Sequence, residues 1–220
     1  MVTFSEENYL KAIYHISKHG SVMVSTNSIA EKMQTKASSV TDMIKKLADK
    51  ELVNYIKYQG VKLTEKGRLT ANEVIRKHRL WEVFLVDKLN FSWDEVHEVA
   101  EQLEHIRSKK LIDELDTYLG FPTHDPHGDP IPDKEGNYTF SSKILLSDVG
   151  TNKKCVCVGV KDSSSEFLKY LDRNGIGLGA EICVLEKEPF DGSMTVHIEK
   201  ETINISKIIA SNLYVKILPL

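Results

Sequence analysis

Asn27-Ser28-Ile29-Ala30-Glu31-Lys32-Met33-Gln34-Thr35-Lys36-Ala37-Ser38-Ser39-Val40-Thr41-Asp42-Met43-Ile44-Lys45-Lys46-Leu47 is the stretch whose reading decides the fold. Ile29, Ala30 and Met33 recur at helical spacing over residues 27–33, and Gln34-Thr35-Lys36-Ala37 reads as a turn. A second helix is expected over residues 38–50. Val40, Ile44 and Leu47 would face a core, leaving Ser38, Ser39, Thr41, Asp42, Lys45 and Lys46 outside. Short strands are expected at 52–58 and 61–63, turning at Gln59-Gly60. Upstream, Thr3-x-x-Glu6 forms a capping-box pattern before Tyr9, Leu10, Ile13, Tyr14 and Ile16, so a first helix precedes the pair and stops near Gly20. Helix, helix, turn, helix and hairpin is the order of a winged helix-turn-helix, whose second paired helix enters the major groove. A small helical subdomain with a solvated lysine face has the same periodicity, and spacing alone does not separate the two.

Outward from this module, Thr64 starts a long helix expected to reach about Leu89. Another is expected from Ser92 to about Lys109, and a third over 110–119. Their apolar faces exceed what one subdomain needs, which predicts a dimer seam. Residues 121–138 carry Pro122, Pro126, Pro130, Pro132, Gly128 and Gly136 and read as a linker or ordered loop. Beyond it, β-rich runs at 155–160, 181–187, 194–198 and 213–217 surround a helical insert at 165–173 closed by Asn174-Gly175, and Asp191-Gly192 marks a hairpin. A small barrel of SH3 size is expected there. The fold class is thus mainly α with a small β domain, divided as a winged helix-turn-helix at 1–64, a helical metal-binding and dimerisation domain at 65–140, and an SH3-like β-barrel at 141–220.

Charge is segregated. Net charge is -3, yet Lys36, Lys45, Lys46, Lys50, Lys57 and Lys62 meet only Asp42, Asp49 and Glu51 across 36–62. Residues 91–130 hold ten acidic side chains against Arg107, Lys109 and Lys110. A basic module suits phosphate and an acidic one suits cations. No apolar run approaches the roughly 20 residues of a membrane span. Residues 1–7 lack the pattern of a signal peptide. Three cysteines, with Cys155 and Cys157 alternating with valines, read as strand packing in a reducing cytoplasm.

The chemistry concentrates in His97-Glu98-Val99-Ala100-Glu101-Gln102-Leu103-Glu104-His105. On one continuous helix, His97, Glu101, Glu104 and His105 fall within a sector of about 100°, opposite Val96, Val99, Leu103 and Ile106. His78 and Glu82 share a face at i and i+4. If the two helices pack together, imidazoles and carboxylates converge in a set suited to Mn²⁺, Fe²⁺ or Zn²⁺. Neighbouring carboxylates repel without a cation between them. A hydrated charged face carrying incidental histidines is the plainer alternative. His15 and His19 read as helix-surface residues, His124 and His127 as loop residues, His197 as a strand residue, and Trp81 and Trp93 as packing.

These motifs together resemble the diphtheria-toxin-repressor family, including its manganese transport regulators, over essentially the whole chain. The matching segments are Glu7 to Tyr14, Ser38-Ser39-Val40-Thr41, Leu63-Thr64-Glu65-Lys66-Gly67, Arg76-Lys77-His78-Arg79-Leu80-x-Glu82, Val96-His97-Glu98-x-x-Glu101-x-x-Glu104-His105 and Pro126-His127-Gly128-Asp129-Pro130-Ile131-Pro132. The resemblance implies a primary metal site of Asn8, Glu101, Glu104 and His105. It also implies an ancillary site of His78, Glu82 and His97, with Glu166 lent by an SH3-like, ferrous-transport-A-like domain. Glu101 stands where iron-responsive members carry a cysteine, and a hard carboxylate favours Mn²⁺. Asn8 stands where the family has Met or Asp and brings no charge. Ser163 replaces a second ligand of the C-terminal domain, with Asp162 beside it.

The implied protein is a cytoplasmic homodimer on double-stranded operator DNA, with no membrane partner and no small organic substrate. Mn²⁺ would activate it (Fe²⁺ as the alternative), and Zn²⁺, Co²⁺ or Cd²⁺ would substitute in vitro. Ser38, Ser39, Thr41 and Asp42 would face base edges, while Lys36, Lys45, Lys46, Lys57 and Lys62 would hold phosphates. A carboxylate-bridged metalloenzyme is the rival of another class, against which stand the wing hairpin and the lack of a nucleophile motif. An accessory module for metal transport is a third reading.

Overall fold

Thr3 caps the first helix as expected: its hydroxyl accepts from Glu6 N–H, and the Glu6 carboxylate accepts from Thr3 N–H at 2.8 Å. In the computed structural model, which describes residues 2–139, 142–199 and 201–218, the chain divides into two compact units. The first comprises residues 1–81, 101–114 and 132–138, and the second 82–100, 115–131 and 139–220.

In the first unit, α1 (Phe4–Ile16), α2 (Thr26–Lys32) and α3 (Ala37–Asp49) precede strands β1 (Val53–Ile56) and β2 (Gly60–Leu63). Tyr9, Leu10, Ile13, Ile29, Val40, Ile44, Leu47, Leu52 and Val61 form its core. β1 and β2 pair antiparallel with Val53 opposite Leu63, and Val24 adds a bridge to Val61. Lys50 donates to both oxygens of Glu6 at 2.7 and 2.8 Å, tying the end of α3 to the start of α1. The expected helix-turn-helix and wing therefore form, with element ends moved by one or two residues.

The long helix α4 runs Glu65–Leu89, and α5 runs Val96–Leu103. α5 corrects the expectation of one helix from Ser92 to Lys109. It ends at Leu103, so Glu104 and His105 lie on the turn that follows, and Ile106 N–H closes that turn on the Leu103 carbonyl. Helix α6 covers Lys109–Tyr118.

The second unit carries a six-stranded sheet in the order β3 (Ile144–Leu145), β8 (Leu213–Ile217), β4 (Lys153–Val160), β5 (Glu181–Lys187), β6 (Met194–Ile198), β7 (Glu201–Ile205). All its pairs are antiparallel. Helices α7 (Ser165–Arg173) and α8 (Lys207–Ala210) complete the unit, with Leu168, Leu171, Val184, Val196, Ile205 and Val215 in one core. The expected closed barrel is not formed among the described residues: β3 and β7 are the two ends of the order and do not pair, so the domain is SH3-like with an open sheet. β3 has two residues, too few for alternation to be visible in the sequence. Gly128 (φ +81°) lets the Pro-rich loop lie on β4; a Cβ there would overlap the Val158 carbonyl oxygen, and Val160 N–H donates to the His127 carbonyl beside it.

Candidate metal centre and nucleic-acid interface

Inside the first unit, Glu104 is the most deeply buried carboxylate of the expected set at 1% exposure. It lies on the turn that follows α5, where Lys11 and His78 meet it. The expected common face is thereby split, since the His97 side chain is 58% and the Glu101 side chain 56% exposed. Glu104 Oε2 accepts from Lys11 Nζ at 2.6 Å and from His78 Nδ1 at 2.6 Å. Burial alone would raise the Glu104 pKa, but the His78 bond and the Lys11 charge outweigh it and hold the carboxyl below its ordinary value.

His105 stands beside Glu104. Its Nδ1 lies 2.6 Å from Glu7 Oε2 and its Nε2 lies 3.8 Å from Glu104 Oε1. A carboxylate can only accept, so Nδ1 carries the hydrogen, and Nε2 is the ring nitrogen that faces the Glu104 side. Phe4 stacks on the ring at 4.8 Å, and the Arg107 guanidinium lies 5.5 Å from the Phe4 ring centre. This is the arrangement in which a metal-ligating histidine is oriented by a carboxylate behind it. Asn8, expected beside these residues, is exposed on α1. α1 turns Asn8 to the surface and Glu7 inward, so Glu7 is the residue of this helix that reaches His105. Lys11 and Glu7, one helical turn apart, were the signal available in the sequence.

A second cluster forms wholly within the other unit. One donor atom each from Glu82, Asp125 and His127 lie within 4.8 Å of one another. His127 Nε2 donates to the Trp93 carbonyl at 2.8 Å, and its Nδ1 faces Glu82 Oε2 at 3.7 Å. Burial would lower the His127 pKa, but the bond and charge of Glu82, with Asp125 and the Trp93 carbonyl, raise it to about 9. Asp125 Oδ1 accepts from His127 N–H and Asp129 N–H, each at 2.9 Å, which fixes the loop. His97 Nδ1 lies 3.4 Å from Glu82 Oε1 at the exposed edge. Asp125 and His127 thus stand with Glu82 in addition to the His78, Glu82, His97 and Glu166 named from the sequence. His78 engages Glu104 in the first unit, and Glu166 is exposed on the first turn of α7, outside any such cluster among the described residues. Asp162 is also exposed and accepts from Ser164 N–H. An Asp-x-His spacing in the Pro-rich loop was the signal for this pair.

On α3, Ser38, Ser39, Asp42, Lys45 and Lys46 are exposed and Thr41 is half-buried, its hydroxyl donating to Ala37 O at 2.9 Å. Lys36 precedes the helix, and Lys57 and Lys62 flank the wing, all three exposed. Tyr58 stands at the wing tip, 93% exposed with φ +67°, and Lys57 Nζ sits 5.0 Å over its ring.

Comparison with known proteins matches residues 1–61 to the family described as iron dependent repressor, N-terminal DNA binding domain. Residues 64–133 match its metal binding and dimerisation domain, and residues 144–217 match the FeoA domain. The diphtheria toxin repressor of Corynebacterium efficiens is 32% identical over 192 residues, 83% of each chain. The iron-dependent repressor IdeR of Mycobacterium tuberculosis is 36% identical over 126 residues, and the match spans 57% of this chain but only 54% of that relative's length. A solved manganese-dependent transcriptional repressor in complex with manganese superposes with a TM-score of 0.82 at 35% identity, covering 97% of this chain and 100% of the other.

Proposed function

This chain belongs to the diphtheria-toxin-repressor family, whose members are transcriptional repressors rather than enzymes, and from that premise we propose that it is a cytoplasmic Mn²⁺-activated repressor of metal-uptake genes. The observation that carries the metal reading is Glu104. Glu104 is a carboxylate buried to 1% exposure, with Glu7 and Glu101 nearby, and the Lys11 ammonium and the His78 ring already converge on one of its oxygens. A carboxylate buried this deeply calls for a cation close by.

The donor set fits a divalent ion. Glu101, Glu104 and His105 Nε2 would hold it with His78 beside them, and Glu7 would orient His105 from behind. Asn8 is given no role as a ligand. In the second unit, Glu82, Asp125 and His127 would hold another, with His97 at the edge. When bound, the metal supplies positive charge that ties the turn after α5 to α1. Carboxylates in place of thiolates favour Mn²⁺, and Zn²⁺, Co²⁺ or Cd²⁺ would substitute in vitro.

α1 packs on the helix-turn-helix through the shared core and the Glu6–Lys50 pair. Fixing α1 therefore biases the placement of α3. In a two-fold homodimer, this sets the two recognition helices about 34 Å apart, one DNA turn. Metal is then an allosteric effector with a coupling of typically about 1–3 kcal/mol. Lys36, Lys45, Lys46, Lys57 and Lys62 would bind phosphates, while Ser38, Ser39, Thr41 and Asp42 face base edges.

The iron-dependent relatives favour a second reading in which Fe²⁺ is the physiological effector. Fluorescence anisotropy on DNA from the chain's own upstream region, under anaerobic conditions with Mn²⁺ and Fe²⁺ in parallel, tests the choice. Saturation at lower free Mn²⁺ than free Fe²⁺ supports the manganese reading, and the reverse order transfers it to iron.

A further inference from the structure

The first site already contains one cation, and it belongs to the chain. Lys11 Nζ lies 2.6 Å from Glu104 Oε2, 3.9 Å from Glu101 Oε1 and 3.3 Å from His78 Nδ1. Its side chain is 14% exposed, so the ammonium is held among these groups rather than in bulk water. We propose that Lys11 is a tethered competitor for the metal position. In the metal-free chain its ammonium neutralises Glu104, and it must leave that oxygen before a divalent ion can take it, which sets the metal concentration at which the site fills.

The chemistry is an exchange of cations on one carboxylate. No covalent bond forms or breaks, and the ammonium keeps its proton as it moves to solvent. Two positive charges cannot share the Glu104 Oε2 lone pairs at ligand distance, because their repulsion inside a poorly hydrated site is only weakly screened. Lysine suits the role: its four-carbon stem is flexible, and its compact, strongly hydrated head is stable once released. The geometry also explains how so buried a carboxylate is tolerated without metal, since an unpaired buried charge is strongly destabilising. Lys11 and Glu7 project from α1 one turn apart. The same helix thus supplies both the charge that leaves and the carboxylate that holds His105. This proposal rests on reading Glu104 as a metal ligand.

The test is calorimetric Mn²⁺ titration of the full chain at fixed ionic strength, with thermal melting of the chelator-treated protein. Lys11→Gln should bind Mn²⁺ about tenfold more tightly or better, because the competing charge is gone. Its metal-free form should melt below the wild type, and saturating Mn²⁺ should narrow that gap. Lys11→Arg keeps the charge and can grip the carboxylate with two N–H groups. It should bind Mn²⁺ more weakly than wild type, and it decides the matter if Lys11→Gln does not fold without metal. Mn²⁺ binding that is unchanged or weaker in Lys11→Gln, or unchanged or tighter in Lys11→Arg, overturns the proposal. Glu104→Gln separates the two ideas. If it abolishes Mn²⁺ binding while both Lys11 variants match wild type, only the competitor proposal falls. If Glu104→Gln binds Mn²⁺ as wild type does, or wild type does not bind it, the site reading falls and the proposal with it.

Discussion

His105 Nδ1 lies 2.6 Å from Glu7 Oε2, a contact that spans 98 residues of sequence and leaves the Nε2 of that ring facing Glu104. The relationship joins the helix that precedes the helix-turn-helix to the turn that follows α5. It gives Glu7 a positioning role that its exposed neighbour Asn8 does not have.

Replacing Glu7 by Gln should therefore weaken Mn²⁺ binding by about 10–100-fold, the usual cost of losing the partner behind a ligating histidine. Asn8→Ala should leave it within about threefold, as expected for a surface change away from the site. Mn²⁺ titration of the two variants in parallel checks the ranking; equal losses would return Asn8 to the ligand set.

The α-helical and wing elements were legible because each announces itself locally. Thr3 and Glu6 form the capping box they spell, and Val40, Ile44 and Leu47 are buried at the spacing they predict. The site was only partly legible because its reading depended on phase. Placing His97, Glu101, Glu104 and His105 on one face assumed a helix through residue 105, but α5 stops at Leu103 and leaves Glu104 and His105 on the turn that follows. Asp125 and His127 were hidden for a different reason: they meet Glu82 through a loop of 121–131, where no periodicity reports which side chains turn inward. Barrel closure was beyond reach because pairing between distant short strands leaves no local mark.

Lys46 is exposed on α3, and the proposed function assigns it a phosphate. Lys46→Ala should weaken metal-activated DNA binding to a similar degree on all sequences, and should reduce the slope of log affinity against log salt by about 1. Anisotropy titrations at several salt concentrations measure this. A change in sequence preference with an unchanged slope would instead assign Lys46 to base readout.

Asp94 makes the second unit acid-sensitive. Its carboxylate accepts from Ser165 Oγ at 3.0 Å and pairs with Lys169 Nζ at 3.3 Å. A bond from Ser92, outweighing the effect of burial, and the contacts with Ser165 and Lys169 hold its pKa below the ordinary value. A depressed folded-state pKa contributes stability above the unfolded value and loses it as pH falls through the folded one. That places the loss below about pH 4. Asp94→Asn should be less stable than wild type at pH 7 and should show a shallower fall below pH 4. Thermal unfolding across pH 3–7 in chelator shows whether it does.

Gly67 lies so close to Leu52 that an added Cβ would overlap the Leu52 carbonyl oxygen. Because backbone rather than a flexible side chain stands in the way, Gly67→Ala should cost roughly 1–3 kcal/mol by overpacking, despite the better helix propensity of alanine. Chemical denaturation measures the loss, and a gain in stability would show that α4 can shift away from the wing.

Under the proposed function, a divalent ion held at Glu104 switches DNA binding on. Fluorescence anisotropy with operator-region DNA, with and without Mn²⁺, on wild type and Glu104→Gln tests it most directly. Mn²⁺ should tighten wild-type binding by about 5–150-fold, the range of a typical allosteric coupling, and leave Glu104→Gln at the metal-free level. Equal Mn²⁺ activation of both proteins, or none in the wild type, would contradict it.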